Sequence, residues 1–219
     1  MESFWFPIKL SLLVAASATV FTFIVSVALS HTFSRIDFRG KTLLETLFML
    51  PLVLPPSVVG FILLIVFGIN SPIGRAIEKV MGETILFTPY AAIVAAVVVA
   101  FPLMYQSAKA GFLGIDGDIE AASRVDGASE MKTLLYVSIP LASRSLLTGT
   151  VLSFTRALGE FGATLLFAGN IPGKTQTIST AIYVAIESGE DGLAWKYVGI
   201  SIALSFLFLL LVNRINDRP

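Results

Sequence analysis

Residues 116–142 read D-G-D-I-E-A-A-S-R-V-D-G-A-S-E-M-K-T-L-L-Y-V-S-I-P-L-A, a polar stretch framed by long apolar runs. Asp116 or Asp118 can cap a short helix through Glu120 to Arg124, Gly127 can end it, and a second helix can run from Ser129 toward Pro140. Two short helices hinged at a glycine make a compact knob. A plain connection would be shorter and less regular.

What surrounds this knob belongs in lipid. Of the 219 residues 55% are hydrophobic and only 14% charged, with mean hydropathy +0.85, where a soluble domain carries roughly a quarter charged residues. A bilayer core about 30 Å thick needs about 20 apolar helical residues. Uncharged runs cover residues 10–29, 46–74, 84–108, 145–155 continuing past two charges to 173, and 197–213. They predict an all-α integral membrane protein in one transmembrane domain, residues 1–219. Its five spans fall at about 8–29, 44–69, 85–108, 145–168 and 196–213, with the knob loop at 111–143. The first run exceeds the roughly 7–15 residues of a signal-peptide core and no basic cluster precedes it, so it is read as a retained helix. Residues 175–186 are too few to cross and predict an interfacial or re-entrant helix.

Lys and Arg in the loops set the orientation. With the N-terminus outside, nine cations lie inside (Arg35, Arg39, Lys41, Lys109, Arg124, Lys132, Arg144, Arg214, Arg218) against five outside (Lys9, Arg75, Lys79, Lys174, Lys196). This places the knob and the C-terminus in the cytoplasm. Pro51, Pro55 and Pro56 inside the second span and Pro102 inside the third remove backbone donors and bend their helices. In membranes such broken backbone faces protein or a water-filled path.

Composition also excludes. Lys+Arg and Asp+Glu balance at 15 each, so no basic field suggests nucleic acid. Without Cys, and with His31 the single His, there is no thiolate or Cys/His metal site and no cofactor is expected. His31 is read as a polar loop residue, and no span contains His or Cys, which disfavours an intramembrane hydrolase. Gly40-Lys41-Thr42 and Gly173-Lys174-Thr175 lack the glycine a phosphate loop needs five positions before its second Gly. ATP is therefore expected to be handled by another chain.

The knob resembles the cytoplasmic signature of importer-type ABC permeases, E-A-A-x3-G-x9-I-x-L-P. Gly127 and Pro140 match at the required offset, and Val137 and Ile139 stand as conservative replacements. Alignment from Gly127 puts Ala121 and Ala122 at the Glu and first Ala positions, with Glu120 one residue early. The resemblance implies the fold of a type I importer permease, with a coupling loop that carries Glu120, Ala121, Ala122, Gly127 and Pro140 and docks in a cleft of an ATPase subunit.

R-A-L-G-E-F-G-A-T at 156–164 and A-G-N-I-P-G-K-T-Q-T at 168–177 are similar to segments of sulfate and molybdate permeases, and L-P-L-V-L-P-P-S-V-V-G at 50–60 to molybdate permeases specifically. The resemblance implies molybdate transport across the cytoplasmic membrane, with sulfate or tungstate as the alternative, and an extracytoplasmic oxyanion-binding protein as a further partner. Five spans hardly enclose a path alone, so a homodimer is expected. An ATP-independent secondary transporter would also explain bent spans, but not the knob. Arg156 and Glu160, four residues apart, are expected on one helix face near mid-membrane. Together with Gly159, Pro55 and Pro56 they are the candidate pathway residues. Gly159 and Gly162 are also a spacing that membrane helices use for close packing.

Overall fold

The computed structural model describes residues 2–216 and, among these, only helices and their connections. Arg218, counted above among the inner cations, lies outside the described residues.

The helix α1 (Glu2–Arg35) is unbroken over 34 residues. Buried Thr19, Thr22 and Ser30 bond back to carbonyls of their own helix, Thr19 Oγ1 to Ala15 at 2.7 Å. The second apolar run divides into α2 (Lys41–Val53) and α3 (Pro56–Phe67), bent by 116°. Consecutive prolines cause the break: Pro55 forces Leu54 into extended geometry and Pro56 does the same to Pro55. Pro56 itself suits the first position of α3, where no amide donor is needed. Pro51 stays inside α2, so the bend belongs to the Pro55-Pro56 pair.

The amphipathic α4 (Pro72–Met81) follows, capped by the Ser71 hydroxyl on the Gly74 amide at 2.7 Å. The third span is α5 (Pro89–Leu113), continuous through Pro102 and the most buried element, packed between α1 and α9. The knob comprises α6 (Gly117–Val125) and α7 (Glu130–Thr133), a π turn (Leu134–Ser138), and α8 (Ile139–Leu141). The stretch Glu130–Leu141 meets α9 (Ser143–Leu158) at 77°, so it lies across the end of the bundle.

The fourth span, expected as continuous helix over 145–168, is broken at residues 159–161 and resumes as α10 (Gly162–Phe167). The short helix expected near 175–186 is α11 (Ile178–Glu187), closed at its start by the reciprocal Thr177 and Thr180 capping box. The last helix is α12 (Asp191–Asn216).

Helices α1, α5 and α12 are long and apolar enough to cross a membrane, and counting each bent pair as one span gives five. The chain is a multi-pass, all-α membrane protein. The starts of α1 and α12 and the α11 segment share one end: Tyr197 donates to the Phe4 carbonyl at 3.2 Å and the Ile178 amide to Ser11 Oγ at 2.8 Å. Trp5 and Trp195 stand exposed there, as interfacial aromatics do. The knob occupies the opposite end, beside the last turn of α1. His31 lies in α1 rather than in a loop, its ring edge-on to Phe112 at 5.4 Å.

Candidate functional site

The two helix breaks meet. A Cβ placed on Gly162, at the start of α10, would lie 2.9 Å from Pro56 Cβ and 3.5 Å from the Ser57 nitrogen. One turn along, a Cβ on Gly60 would lie 2.9 Å from Ala163 Cα and 3.0 Å from its carbonyl oxygen. Only glycine lets α3 and α10 approach this closely, the small-residue device of membrane helix contacts. Pro55, Pro56, Ser57 and Gly159 are exposed at this junction, so irregular backbone from two spans opens onto one surface.

Arg156 and Glu160 stand at the same place. Arg156 Nη1 donates to Glu160 Oε2 at 2.7 Å, the i,i+4 pairing that the spacing suggests. Their setting differs from a single helix face, because α9 ends at Leu158 and Glu160 lies in the break. Its other oxygen, Oε1, accepts the Ala163 amide at 2.8 Å and so caps α10. Each Glu160 oxygen thus has a partner and the side chain is only 2% exposed, whereas the Arg156 side chain is 29% exposed. The pair is lopsided: a buried, fixed carboxylate holds a guanidinium that still reaches the open surface.

In the knob, the Asp116 carboxylate caps α6 by accepting the Asp118 amide at 3.0 Å. Gly127 ends α6 at φ +88°, and the Ala128 amide returns to the Ser123 carbonyl at 3.0 Å, a glycine C-terminal motif. Ser129 then caps α7. Ala121, Ala122, Gly127 and Pro140 are exposed, together with Val125, Met131 and Tyr136, giving the knob an apolar outer face.

Glu120 points the other way. It is 4% exposed, pairs with Arg35 at the end of α1, and accepts from Ser138 Oγ at 2.5 Å. Burial works against its ionisation, but the hydrogen bonds from Arg35 and Ser138 outweigh that and hold it below the ordinary carboxylate range.

Sequence reasoning counted Arg35 only as a topological cation and did not single out Ser138. A carboxylate on an inward knob face demands a cation, and that demand was the available signal. It also missed Glu45 of α2, which ties to α5 through Lys109 Nζ at 2.5 Å and the Tyr105 hydroxyl at 3.1 Å. A hollow of about 650 Å³ is apolar and lined by residues such as Leu64, Ile69, Ile73 and Leu86; neither Arg156 nor Glu160 lines it. Among the described residues no cluster of side chains has metal-ligand character.

Known proteins resemble this chain in sequence and in fold. A family model described as the binding-protein-dependent transport system inner membrane component matches residues 20–219. A putative molybdenum transport system permease protein of Bacillus subtilis is 56% identical over 213 residues, 97% of this chain and 94% of that one. The molybdenum transport system permease protein of Escherichia coli K12 is 40% identical over 209 residues, 94% and 91% of the two chains. The sulfate transport system permease protein of Salmonella typhimurium is 30% identical over 210 residues, 96% of this chain and 76% of that one. Among solved structures, a chain of a bacterial ABC transporter that imports alginate superposes with TM-score 0.78 at 16% identity, covering 100% of this chain and 80% of that one. The chain belongs to the family of binding-protein-dependent transport system inner membrane components, with molybdenum transport permeases among its relatives.

Proposed function

We propose that the chain is the permease subunit of an ATP-binding-cassette importer that moves molybdate across the cytoplasmic membrane by alternating access. It works as a homodimer with a pair of cytoplasmic ATPase subunits and an extracytoplasmic oxyanion-binding protein. The observation that carries this reading is the knob: two capped helices present Ala121, Ala122 and Gly127 outward while Glu120 is turned inward. An apolar face held clear of the spans suits docking in a partner's cleft. The chain itself catalyses no reaction in this scheme, and the N-terminus lies outside with the knob and C-terminus in the cytoplasm.

The path runs along the junction of the two breaks. A lone charge at mid-membrane costs at least ~2.5 kcal/mol, which favours an inward or wet setting for Arg156. With Glu160 fixing one side, the guanidinium offers its remaining donors to a passing tetrahedral dianion. The adjacent carboxylate keeps the attraction weak enough for release. Pro55, Pro56 and Gly159 supply the irregular backbone of the same wall.

Uptake of labelled molybdate by a permease-deficient strain tests the substrate. Restored sulfate uptake without molybdate uptake favours the second reading, which the sulfate permease relative at 30% identity supports. The pathway role is tested by exchanging Arg156→Glu with Glu160→Arg. Transport stays impaired at unchanged Tm if the position of positive charge matters, a lowered Tm marks loss of the acceptor for the Ala163 amide instead, and full transport by the exchanged protein at normal expression refutes the role.

A further inference from the structure

The Glu120 carboxylate is a fastener rather than a docking group. Three elements converge on it: α6 carries it, the last turn of α1 supplies Arg35, and the π turn supplies Ser138. Beside them the Ser123 and Thr133 hydroxyls bond at 2.9 Å, so α6 is joined to α7 as well as to the π turn.

The π turn is what brings the second pair of partners round. In an α-helix, residues five apart diverge by about 140° at 3.6 residues per turn. Thr133 and Ser138 would then face different ways. A π turn, closing i to i+5, brings them much nearer to one face. Both are buried toward α6, and Ser138 Oγ lies 3.4 Å from the Thr133 carbonyl. A hollow of about 450 Å³, lined by Ser34, Arg35, Phe112, Gly117, Glu120 and Arg124, opens beside the fastener. Because α1 packs along the length of α5, whatever is fixed to Arg35 is fixed to the centre of the bundle.

We propose that Glu120 is a positioning residue: through Arg35 and Ser138 it makes the knob and the end of α1 one moving body, so that displacement of the knob is delivered to the spans. This rests on the ATPase-coupled reading above. Without the fastener the knob still docks, but only the apolar packing of Ile115, Leu134 and Ile139 around Phe112 ties it to the bundle, and the spans follow incompletely.

The test reconstitutes the chain with its ATPase and binding proteins in liposomes and measures molybdate moved per ATP hydrolysed. Glu120→Ala is expected to retain the ATPase subunits and lose coupling about tenfold, and Arg35→Gln to behave alike, while Arg35→Lys keeps most of it. In this Cys-free chain, Arg35→Cys with Glu120→Cys should uncouple, and a short bismaleimide bridging the two should restore coupling. A purely structural role would not give that rescue.

If Glu120→Ala does not assemble, Ser138→Ala, which leaves the ion pair in place, is expected to lower the ratio several-fold. An unchanged ratio in either assembled variant overturns the inference. Failure of the unmodified chain to bind any ATPase overturns instead the function on which it rests.

Discussion

Removing either member of the Arg156–Glu160 pair should destabilise the protein unequally. Arg156→Gln leaves Glu160 at 2% exposure with a single remaining donor, the Ala163 amide. Stranding one partner of a buried ion pair costs about 3–5 kcal/mol. Glu160→Gln is milder. The amide oxygen can still accept from Ala163, and Arg156, 29% exposed, can turn to the open surface. What is lost is one charge-assisted hydrogen bond, worth about 1.5–3 kcal/mol. The difference is about 2 kcal/mol, which for a chain of this size corresponds to about 4–8 °C in Tm. Thermal unfolding in lipid nanodiscs, followed by Trp5 and Trp195 fluorescence, reads it directly. The double variant Arg156→Gln/Glu160→Gln should melt above Arg156→Gln alone, because no charge is then left buried. Equal melting of the two single variants, or a double variant that melts lowest, would refute the lopsided pair.

Gly60→Ala forces a methyl to 2.9 Å from Ala163 Cα, so α3 and α10 must separate; overpacking of this kind costs about 1–3 kcal/mol, read as a lowered Tm with reduced uptake. Gly127 has open space around it and φ +88°, so Gly127→Ala should cost about 1 kcal/mol through its backbone alone, and Gly127→Asn less. Hydrogen exchange in residues 117–141 would register both. Because the native state holds the Glu120 carboxyl below its ordinary range, the stability it contributes is complete above its unfolded pKa of about 4.3 and is lost as pH falls through the lower native value. Knob exchange, corrected for intrinsic rates, should therefore stay level from about pH 7 to 5 and rise only below about pH 4; a rise near pH 6 would contradict the assignment. For orientation, a cysteine at Ser129 should react with an impermeant maleimide only after the membrane is opened, and labelling of intact cells would reverse the proposed topology.

The knob was the most legible part of the chain because its boundaries are local chemistry. Asp116, Gly127 and Ser129 cap, terminate and cap again through contacts within a few residues. The apolar runs were legible for a similar reason, since bilayer thickness imposes a length. The break at residues 159–161 was not, because Gly-Glu-Phe contains no proline and sits inside an apolar window. What ends α9 there is tertiary: Glu160 abandons the helix to cap α10, and Gly162 lets α10 press on Pro56. The π turn was equally hidden, since its sequence L-L-Y-V-S suits an ordinary helix and the contact that goes with the extra residue, Ser138 to Glu120, spans 18 positions.

The same logic links the two sites. In both, a glutamate near a helix irregularity pairs with an arginine and also accepts a short local hydrogen bond: Glu160 with Arg156 and the Ala163 amide, Glu120 with Arg35 and Ser138. Helix breaks leave backbone groups and side chains free to face new directions, and a buried carboxylate fixes one of those directions. At the junction the arginine remains partly open, as a pathway residue must be if it is to meet a solute. At the knob the arginine is the anchor, and the open groups lie on the far side of α6, at Ala121 and Ala122. In the proposed roles, the knob site is the one to be held and the junction site the one to be reached. That division is what a permease needs if force enters at the knob and solute passes at the breaks.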